Sequence, residues 1–168
     1  ELRPDVLVLG FVLNDALSMQ QTVGGGAALS PSHPVSGLAR LSRAWEIVER
    51  YRASASEQQK FFTDIRLSFE SEAWDNCKVV LASIAQSAKT ANCRFLVVIF
   101  PVFYGLDGDY PFEDLHKSVT EACAKMGIQT LDLLDAFRGK KADQFWVHPL
   151  DHHPNEIAHR IIAGQIAD

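Results

Sequence analysis

Basic residues are fewer than acidic residues in this chain of 168 residues, and they are not clustered in a run. Lysine and arginine number 16 against 21 acidic residues, which gives a formal net charge of −5 at neutral pH. A protein that binds a phosphate backbone needs a stripe of positive charge to neutralise it. The composition therefore argues against nucleic acid as a partner.

Long apolar runs are also missing. The longest, around residues 95–102, is far shorter than the roughly 20 residues that a membrane-spanning helix needs. Nothing before Pro4 resembles a signal peptide. We therefore expect a soluble chain without a transmembrane segment. The compartment stays open, because a targeting signal upstream of residue 1 would not be visible.

Cysteine is scarce and odd in number. Cys77, Cys93 and Cys123 are spaced too widely for a zinc ribbon or a dense disulfide framework. Cys77 and Cys123 lie in helical patterns beside apolar residues, which predicts buried free thiols.

Apolar strands that alternate with amphipathic helices make up most of the chain, and the hydrophobic fraction of 47% is enough for one globular domain over residues 1–168. The run Val6–Val12 predicts a strand buried on both faces of a parallel sheet. Further strands are predicted at 95–100 and 128–133. Helices are predicted at 38–52, 57–69, 73–90, 112–125 and 155–167. This alternation implies a three-layer α/β/α sandwich with a parallel sheet.

One segment, residues 19–37, interrupts the alternation. It contains Gly24-Gly25-Gly26 together with Pro31 and Pro34, a composition that breaks regular structure. It is predicted to be a long loop or lid.

Two polar constellations fall where ligands bind in such sheets, beyond the carboxyl ends of strands. Asn14-Asp15 directly follows the first strand, where a carboxamide can donate to a developing oxyanion. The same dipeptide can equally form a turn or a helix cap.

The second constellation is the segment His148–Asn155, predicted to be a polar loop before the last helix. A histidine is the usual general base for a serine nucleophile, and a nearby carboxylate can fix its tautomer. Asp151 and His153 stand two residues apart and can face one site, while Pro154 would fit the first turn of the helix. A simple capping loop is the alternative.

Zinc is another interpretation of the same residues. Four imidazoles, from His148, His152, His153 and His159, lie near the Asp151 carboxylate, but their spacing matches no familiar zinc signature. We therefore expect no metal.

Both constellations resemble conserved blocks of the SGNH/GDSL hydrolases. Residues 4–15, Pro-Asp-Val-Leu-Val-Leu-Gly-Phe-Val-Leu-Asn-Asp, resemble the third block of that family, and residues 151–155, Asp-His-His-Pro-Asn, resemble the fifth. They occur in the family's order, with a family-like strand at 95–101 between them. The resemblance implies a flavodoxin-like α/β/α sandwich.

The resemblance also implies roles for individual residues. Asn14 would be an oxyanion-hole donor, His153 the general base and Asp151 the residue that orients it. His152 competes with His153, but the histidine followed by proline matches the block better. The supporting positions are Asp15, Gly10, His152 and Asn155.

The chain departs from the family at the nucleophile. It contains no Gly-Asp-Ser, the first block that supplies the serine, and no counterpart of the glycine donor in the second block. Family members place the serine on the first strand of the sheet, upstream of the strand at Val6–Val12. We therefore expect the N-terminal strands and the nucleophile to be missing from this sequence, and the chain alone to be inactive.

The activity that the resemblance implies is serine-dependent hydrolysis of carboxylic esters, acyl or acetyl, without a metal or organic cofactor. The substrate would be a small ester or an acylated carbohydrate or lipid. Three alternatives remain: an O-acyltransferase or acetylesterase acting on carbohydrate, a non-catalytic binding module, and a fragment completed by a separate chain. An upstream Gly-Asp-Ser would favour the enzyme.

Overall fold

The structure is a computed structural model that describes residues 4–17, 43–149 and 151–167. It contains two compact units, one of residues 1–15 with 75–168 and one of residues 16–74. The loop or lid predicted at 19–37 lies outside the described residues.

A parallel sheet of three strands forms the centre of the larger unit. In the order β1-β2-β3, its strands are Val6–Val12, Arg94–Phe100 and Gln129–Asp132. β1 pairs in parallel with β2 along its whole length, and β3 pairs in parallel with β2 from residue 129 to residue 132. The α/β class and the parallel sheet are therefore confirmed, and the carboxyl ends of all three strands lie at one edge.

β1 is the outer strand of the described sheet, and the prediction that both its faces are buried is wrong. Val6, Leu7 and Val8 are 38%, 39% and 44% exposed, whereas Phe11 is buried. β2 lies between its two neighbours and has a fully buried core at residues 97–99. An apolar run indicates that a strand can be buried. Whether it is buried depends on the elements that pack beside it, and these are set by residues outside the run.

Five helices accompany the strands, and none of those in the described ranges has the length and apolar character to cross a bilayer. In chain order, α1 to α5 are Arg43–Phe69, Glu72–Thr90, Glu113–Lys125, Leu134–Phe137 and Glu156–Ala167. The two helices predicted at 38–52 and 57–69 are one continuous helix from residue 43, because no glycine or proline interrupts residues 43–69.

In the smaller unit, side chains at the end of α1 and the start of α2 pack on one another. Ile65 and Ser68 are fully buried, and the Ser68 hydroxyl donates to the Ile65 carbonyl at 2.7 Å. The rings of Phe69 and Trp74 pack with centroids 4.7 Å apart. These contacts stabilise the turn between the two helices.

In the larger unit, α3 crosses from the end of β2 to the start of β3 and packs on β3. Leu115, Val119 and Cys123 recur along its buried face at helical spacing. Gly127 follows the helix with a φ of +69°, a conformation that glycine adopts without strain, so the predicted end of the helix at residues 126–127 is confirmed.

Candidate active site

The prediction of a polar loop is wrong for residues 148 and 151–154, which belong to a pair of antiparallel strands that we call the hairpin. β4, Trp146–His148, pairs antiparallel with β5, Asp151–Pro154. Successive side chains of a strand point to opposite faces, so Asp151 and His153 share one face and His152 lies on the other. Pro154 ends β5 and pairs with Trp146, so its predicted place in the first turn of the helix is wrong.

Asp151 and His153 are in direct contact on their face of the hairpin. The Nδ1 of His153 lies 2.5 Å from the Oδ1 of Asp151, and the backbone N–H of His153 donates to the same oxygen at 3.2 Å. These two hydrogen bonds, from the ring and then from the backbone, lower the pKa of Asp151, so its carboxylate is ionised at neutral pH.

His153 is open to solvent on its other side. Its side chain is 86% exposed, and its Nε2 has no hydrogen-bond partner among the residues that the structure describes. With Nδ1–H held by a carboxylate, the ring presents Nε2 as a proton acceptor. This arrangement can act as a general base.

His152 is held on the opposite face. The Tyr104 hydroxyl hydrogen-bonds the Nδ1 of His152, and its Nε2 lies 3.1 Å from the Pro149 carbonyl oxygen. The Trp146 ring packs on the imidazole with centroids 4.1 Å apart. Both ring nitrogens are engaged, so His152 has none left to accept a proton from a nucleophile, whereas His153 has one.

Asn155 joins the hairpin to α5. Its Oδ1 accepts hydrogen bonds from the backbone N–H groups of Ile157 and Ala158, which caps the helix. Its Nδ2 donates to the carbonyls of Gln144 and Trp146 at 2.9 and 3.1 Å. Asn155 therefore fixes the end of β5 against the start of the helix.

Asn14 and Asp15 lie in a 3₁₀ turn, Leu13–Ala16, directly after β1. The Asp15 carboxylate accepts a hydrogen bond from the Val12 N–H at 2.8 Å and so closes the turn. Burial raises the pKa of Asp15, an effect that the Val12 hydrogen bond opposes. The Oδ1 of Asn14 is buried and has no hydrogen-bond partner in the described part of the chain.

Gly10 lies beneath an aromatic ring of the neighbouring strand. A Cβ at this position would lie 3.1 Å from the Cε2 of Phe100, closer than most side-chain contacts. A glycine here lets the Phe100 ring lie over β1 near the turn that carries Asn14.

The hairpin and Asn14 meet the sheet at the same edge. The Trp146 indole N–H donates to the Phe103 carbonyl at 2.8 Å, three residues beyond the end of β2. Asn14 stands two residues beyond the end of the adjacent strand β1. Within the described residues, no hydrogen bond joins Asn14 to Asp151 or His153.

Four serine hydroxyls donate hydrogen bonds to backbone carbonyl groups. Those of Ser68, Ser71, Ser87 and Ser118 donate to carbonyl groups three or four residues earlier. Among the hydrogen bonds of the described residues, those of His153 go to Asp151 and none joins it to a serine hydroxyl.

Burial keeps two of the three thiols in the protonated form. All three cysteines are free, and burial raises the pKa of Cys77 to about 11, with the charge of Asp15 and the Cys123 thiol adding to the shift. Burial also raises the pKa of Cys123. Both thiols are therefore protonated at neutral pH, in the unreactive form.

We expect Cys77 to react with iodoacetamide at pH 7.5 about a hundredfold more slowly than an ordinary thiol, because raising its pKa from 9.0 to about 11 lowers the thiolate fraction by that factor. The measurement is peptide mass spectrometry over time, with a denatured sample as the reference. Equal rates for Cys77 in the native and denatured samples would contradict the burial.

A second carboxylate–histidine pair, which the sequence did not suggest, lies in the core. The His116 Nδ1 lies 2.8 Å from the Oδ1 of Asp132, and its Nε2 lies 3.1 Å from the Tyr110 hydroxyl. The Tyr110 oxygen accepts a hydrogen bond from the Val102 N–H, and Asp132 accepts one from the Leu134 N–H.

One arrangement of hydrogen atoms satisfies each contact in this network. Nδ1–H donates to Asp132, and Nε2 accepts from the Tyr110 O–H, whose pKa is raised by burial. His116 is 1% exposed and so cannot reach a substrate. The network links the loop after β2, helix α3 and the end of β3, and we assign it to stability.

The carboxyl of this network should make the protein sensitive to acid. Burial opposes ionisation of Asp132, but the hydrogen bonds from His116 and Leu134 outweigh it and lower its pKa below 3.8. The folded state then binds the proton less tightly than the unfolded chain. The contribution of Asp132 to stability is present above the pKa that this carboxyl has in the unfolded chain. It is lost as the pH falls through the lower pKa of the folded state.

We therefore expect Asp132→Asn to lower the urea midpoint at about pH 6 and to flatten its decline between about pH 4 and pH 2. The matched control is Asp135→Asn, since Asp135 is 89% exposed. Parallel pH curves for the wild type and Asp132→Asn would contradict the assignment.

The zinc interpretation finds no matching geometry. In the ranges that the structure describes, no three His, Cys, Asp or Glu side chains converge on a point where they could hold a metal ion. The imidazoles of His152 and His153 point to opposite faces of β5.

The chain was compared with protein-family models, with curated proteins and with solved structures. None of the three comparisons found a match. The SGNH/GDSL resemblance therefore rests on the sequence of residues 4–15 and 151–155.

Proposed function

We propose that this chain carries the base and the oxyanion donor of a serine-dependent ester hydrolase, with the serine on a segment upstream of residue 1. One observation carries the proposal. The Nδ1 of His153 lies 2.5 Å from the Oδ1 of Asp151, and the Nε2 of His153 has no hydrogen-bond partner among the described residues. This is the geometry that a serine nucleophile requires of its base.

In the proposed reaction, Nε2 of His153 takes the proton from the serine hydroxyl as its oxygen attacks the acyl carbon. Asp151, whose pKa is lowered by its bonds to His153, stays ionised and stabilises the imidazolium that forms. His153 returns the proton to the leaving alcohol. In the second half His153 takes a proton from water, whose oxygen attacks the acyl-enzyme. It returns that proton to the serine oxygen as the acid is released.

Asn14 would donate to the oxyanion of the tetrahedral intermediate. Its turn follows β1 at the edge of the sheet that also carries the hairpin, and the hydrogen bond from the Val12 N–H to the Asp15 carboxylate closes that turn. A side-chain donor of this kind contributes about 3 kcal/mol to transition-state stabilisation.

The open side of β1 supports an upstream segment as the source of the nucleophile. Val6, Leu7 and Val8 are more than a third exposed, and β1 pairs with β2 alone in the described sheet. Exposed apolar edge strands promote pairing with further strands. We propose that the segment bearing Gly-Asp-Ser adds to this edge and completes an SGNH-type α/β/α sandwich.

Removing the Asn14 amide tests this proposal. In the full-length protein, Asn14→Ala should lower kcat for short nitrophenyl esters on the order of a hundredfold, with little change in KM, because the amide acts on the transition state. Asn76→Ala, on the exposed face of α2, is the matched control. An unchanged kcat for Asn14→Ala would remove Asn14 from the site. No ester hydrolysis by the wild type would overturn the function and favour a binding module.

A further inference from the structure

The hairpin is fastened to the loop after β2 by two contacts on the face away from Asp151 and His153. The Tyr104 hydroxyl binds the Nδ1 of His152, and the Trp146 indole N–H donates to the Phe103 carbonyl at 2.8 Å. The rings of Tyr104, Trp146 and His152 also pack on one another, with centroids 4.1 to 5.5 Å apart. We call Tyr104, Trp146 and His152 the aromatic clasp.

The loop end of the aromatic clasp is fixed in the core. Phe103, next to Tyr104, is buried and meets the ring of Phe137 edge-on at 5.0 Å and that of Phe145 at 5.9 Å. Phe137 and Phe145 pack edge-on at 5.0 Å. Tyr104 is therefore next to a residue that is packed in the core. A side chain that binds Tyr104 is in this way linked to the sheet.

His153 has little packing of its own. Its side chain is 86% exposed, and its described polar contacts are both to Asp151, on the same short strand. The orientation of this pair must then come from the backbone of β5. His152 lies between the two residues and is the one whose side chain is anchored.

We propose that Tyr104, acting through His152, is a positioning residue for the Asp151–His153 pair. This inference rests on the proposed function, and it concerns a residue that touches neither the substrate nor the reacting atoms. By holding the imidazole between them, Tyr104 fixes the direction in which the other two side chains leave the strand.

The hydrogen bonds assign opposite tautomers to the two adjacent histidines. Tyr104 donates to Nδ1 of His152, and Nε2–H donates to the Pro149 carbonyl, so His152 carries its proton on Nε2. Burial raises the pKa of Tyr104 to about 12, which keeps its hydroxyl a donor at neutral pH. His153 carries its proton on Nδ1, where Asp151 accepts it.

The test compares Tyr104→Phe with Tyr110→Phe in the full-length protein. Each variant removes one tyrosine hydroxyl from the same loop, but Tyr110 binds His116 and Val102 and not the hairpin. We expect Tyr104→Phe to lower kcat about fivefold with KM unchanged, the value of one net hydrogen bond. Tyr110→Phe should lower Tm and leave kcat at the wild-type value.

Long-range ¹H–¹⁵N spectra of the histidine rings provide a readout that does not depend on activity. In the wild type they should show His152 protonated on Nε2 and His153 on Nδ1. In Tyr104→Phe both should shift toward mixed tautomers. The tautomers in Tyr110→Phe should match the wild type.

A pair of substitutions at His152 provides the rescue. His152→Asn keeps a polar atom near the position of Nδ1 and should retain more of kcat than His152→Leu, which removes it. Equal kcat for these two variants would contradict an action through the Tyr104 hydrogen bond.

The outcomes separate the two proposals. Wild-type kcat and wild-type tautomers in Tyr104→Phe would overturn the positioning role, whatever the reaction. If the wild type hydrolyses no ester, the proposed function fails, and a change of the His153 tautomer in Tyr104→Phe would still show that Tyr104 positions the pair.

Discussion

Replacing His153 with glutamine should lower kcat/KM for ester hydrolysis by the full-length protein on the order of 10³-fold. Glutamine cannot accept the proton of a serine hydroxyl at neutral pH, so the nucleophile stays in its weak, protonated form. Tm should not change, because the His153 side chain is 86% exposed and its loss leaves no buried group unpaired. Steady-state kinetics and thermal unfolding of the same samples measure both effects.

The matched control for this experiment is His159→Gln. His159 is exposed and lies in the first turn of α5. It should keep the activity of the wild type. If His152→Gln abolished hydrolysis while His153→Gln retained it, the assignment of the base to His153 would be wrong.

The second large effect concerns stability. His116→Ala should lower the free energy of unfolding by about 3 kcal/mol, since it leaves a cavity and removes one hydrogen-bond partner each from Tyr110 and Asp132. For a chain of this size, that loss corresponds to a fall in Tm of roughly 10 °C. Urea denaturation of the full-length protein measures it directly.

Lys117→Ala is the control for His116→Ala, because Lys117 is the next residue of α3 and is exposed, with Glu121 at 3.9 Å. Its cost should stay within about 0.5 kcal/mol. A cost for His116→Ala as small as that of the control would show that the buried network does not stabilise the fold.

β1 and β2 could be predicted from sequence because their apolar runs are short, continuous and bounded by breakers. β2 is the clearest example, since Pro101 follows it and residues 97–99 are fully buried. The exposure of β1 could not be predicted. The run Val6–Val12 is as apolar as β2, and its burial depends on which strand lies beside it.

The Asp151–His153 contact could be predicted because both residues lie within one strand, where a spacing of two places side chains on one face. The hairpin could not be predicted, since the two prolines and five polar residues of His148–Asn155 made the segment resemble a loop. The first strand of the hairpin, β4, begins at Trp146, two residues before that segment.

The network of Tyr110, His116 and Asp132 was missed for a different reason. Its members belong to a loop, a helix and a strand, 6 and 16 residues apart, and only the folded chain brings them together. One signal was available. His116 directly follows Leu115 on a helix whose buried face continues to Val119, and a histidine there needs partners when it is buried.

The most direct test of the central claim is labelling with a fluorophosphonate probe, which reacts with serines that an adjacent base activates. The full-length protein, its His153→Ala variant and the chain of 168 residues would be labelled in parallel and digested for peptide mass spectrometry. We predict one labelled serine, in a Gly-Asp-Ser upstream of residue 1, and no label in the other two proteins. No label in the full-length protein, or a labelled serine within residues 1–168, would contradict the account.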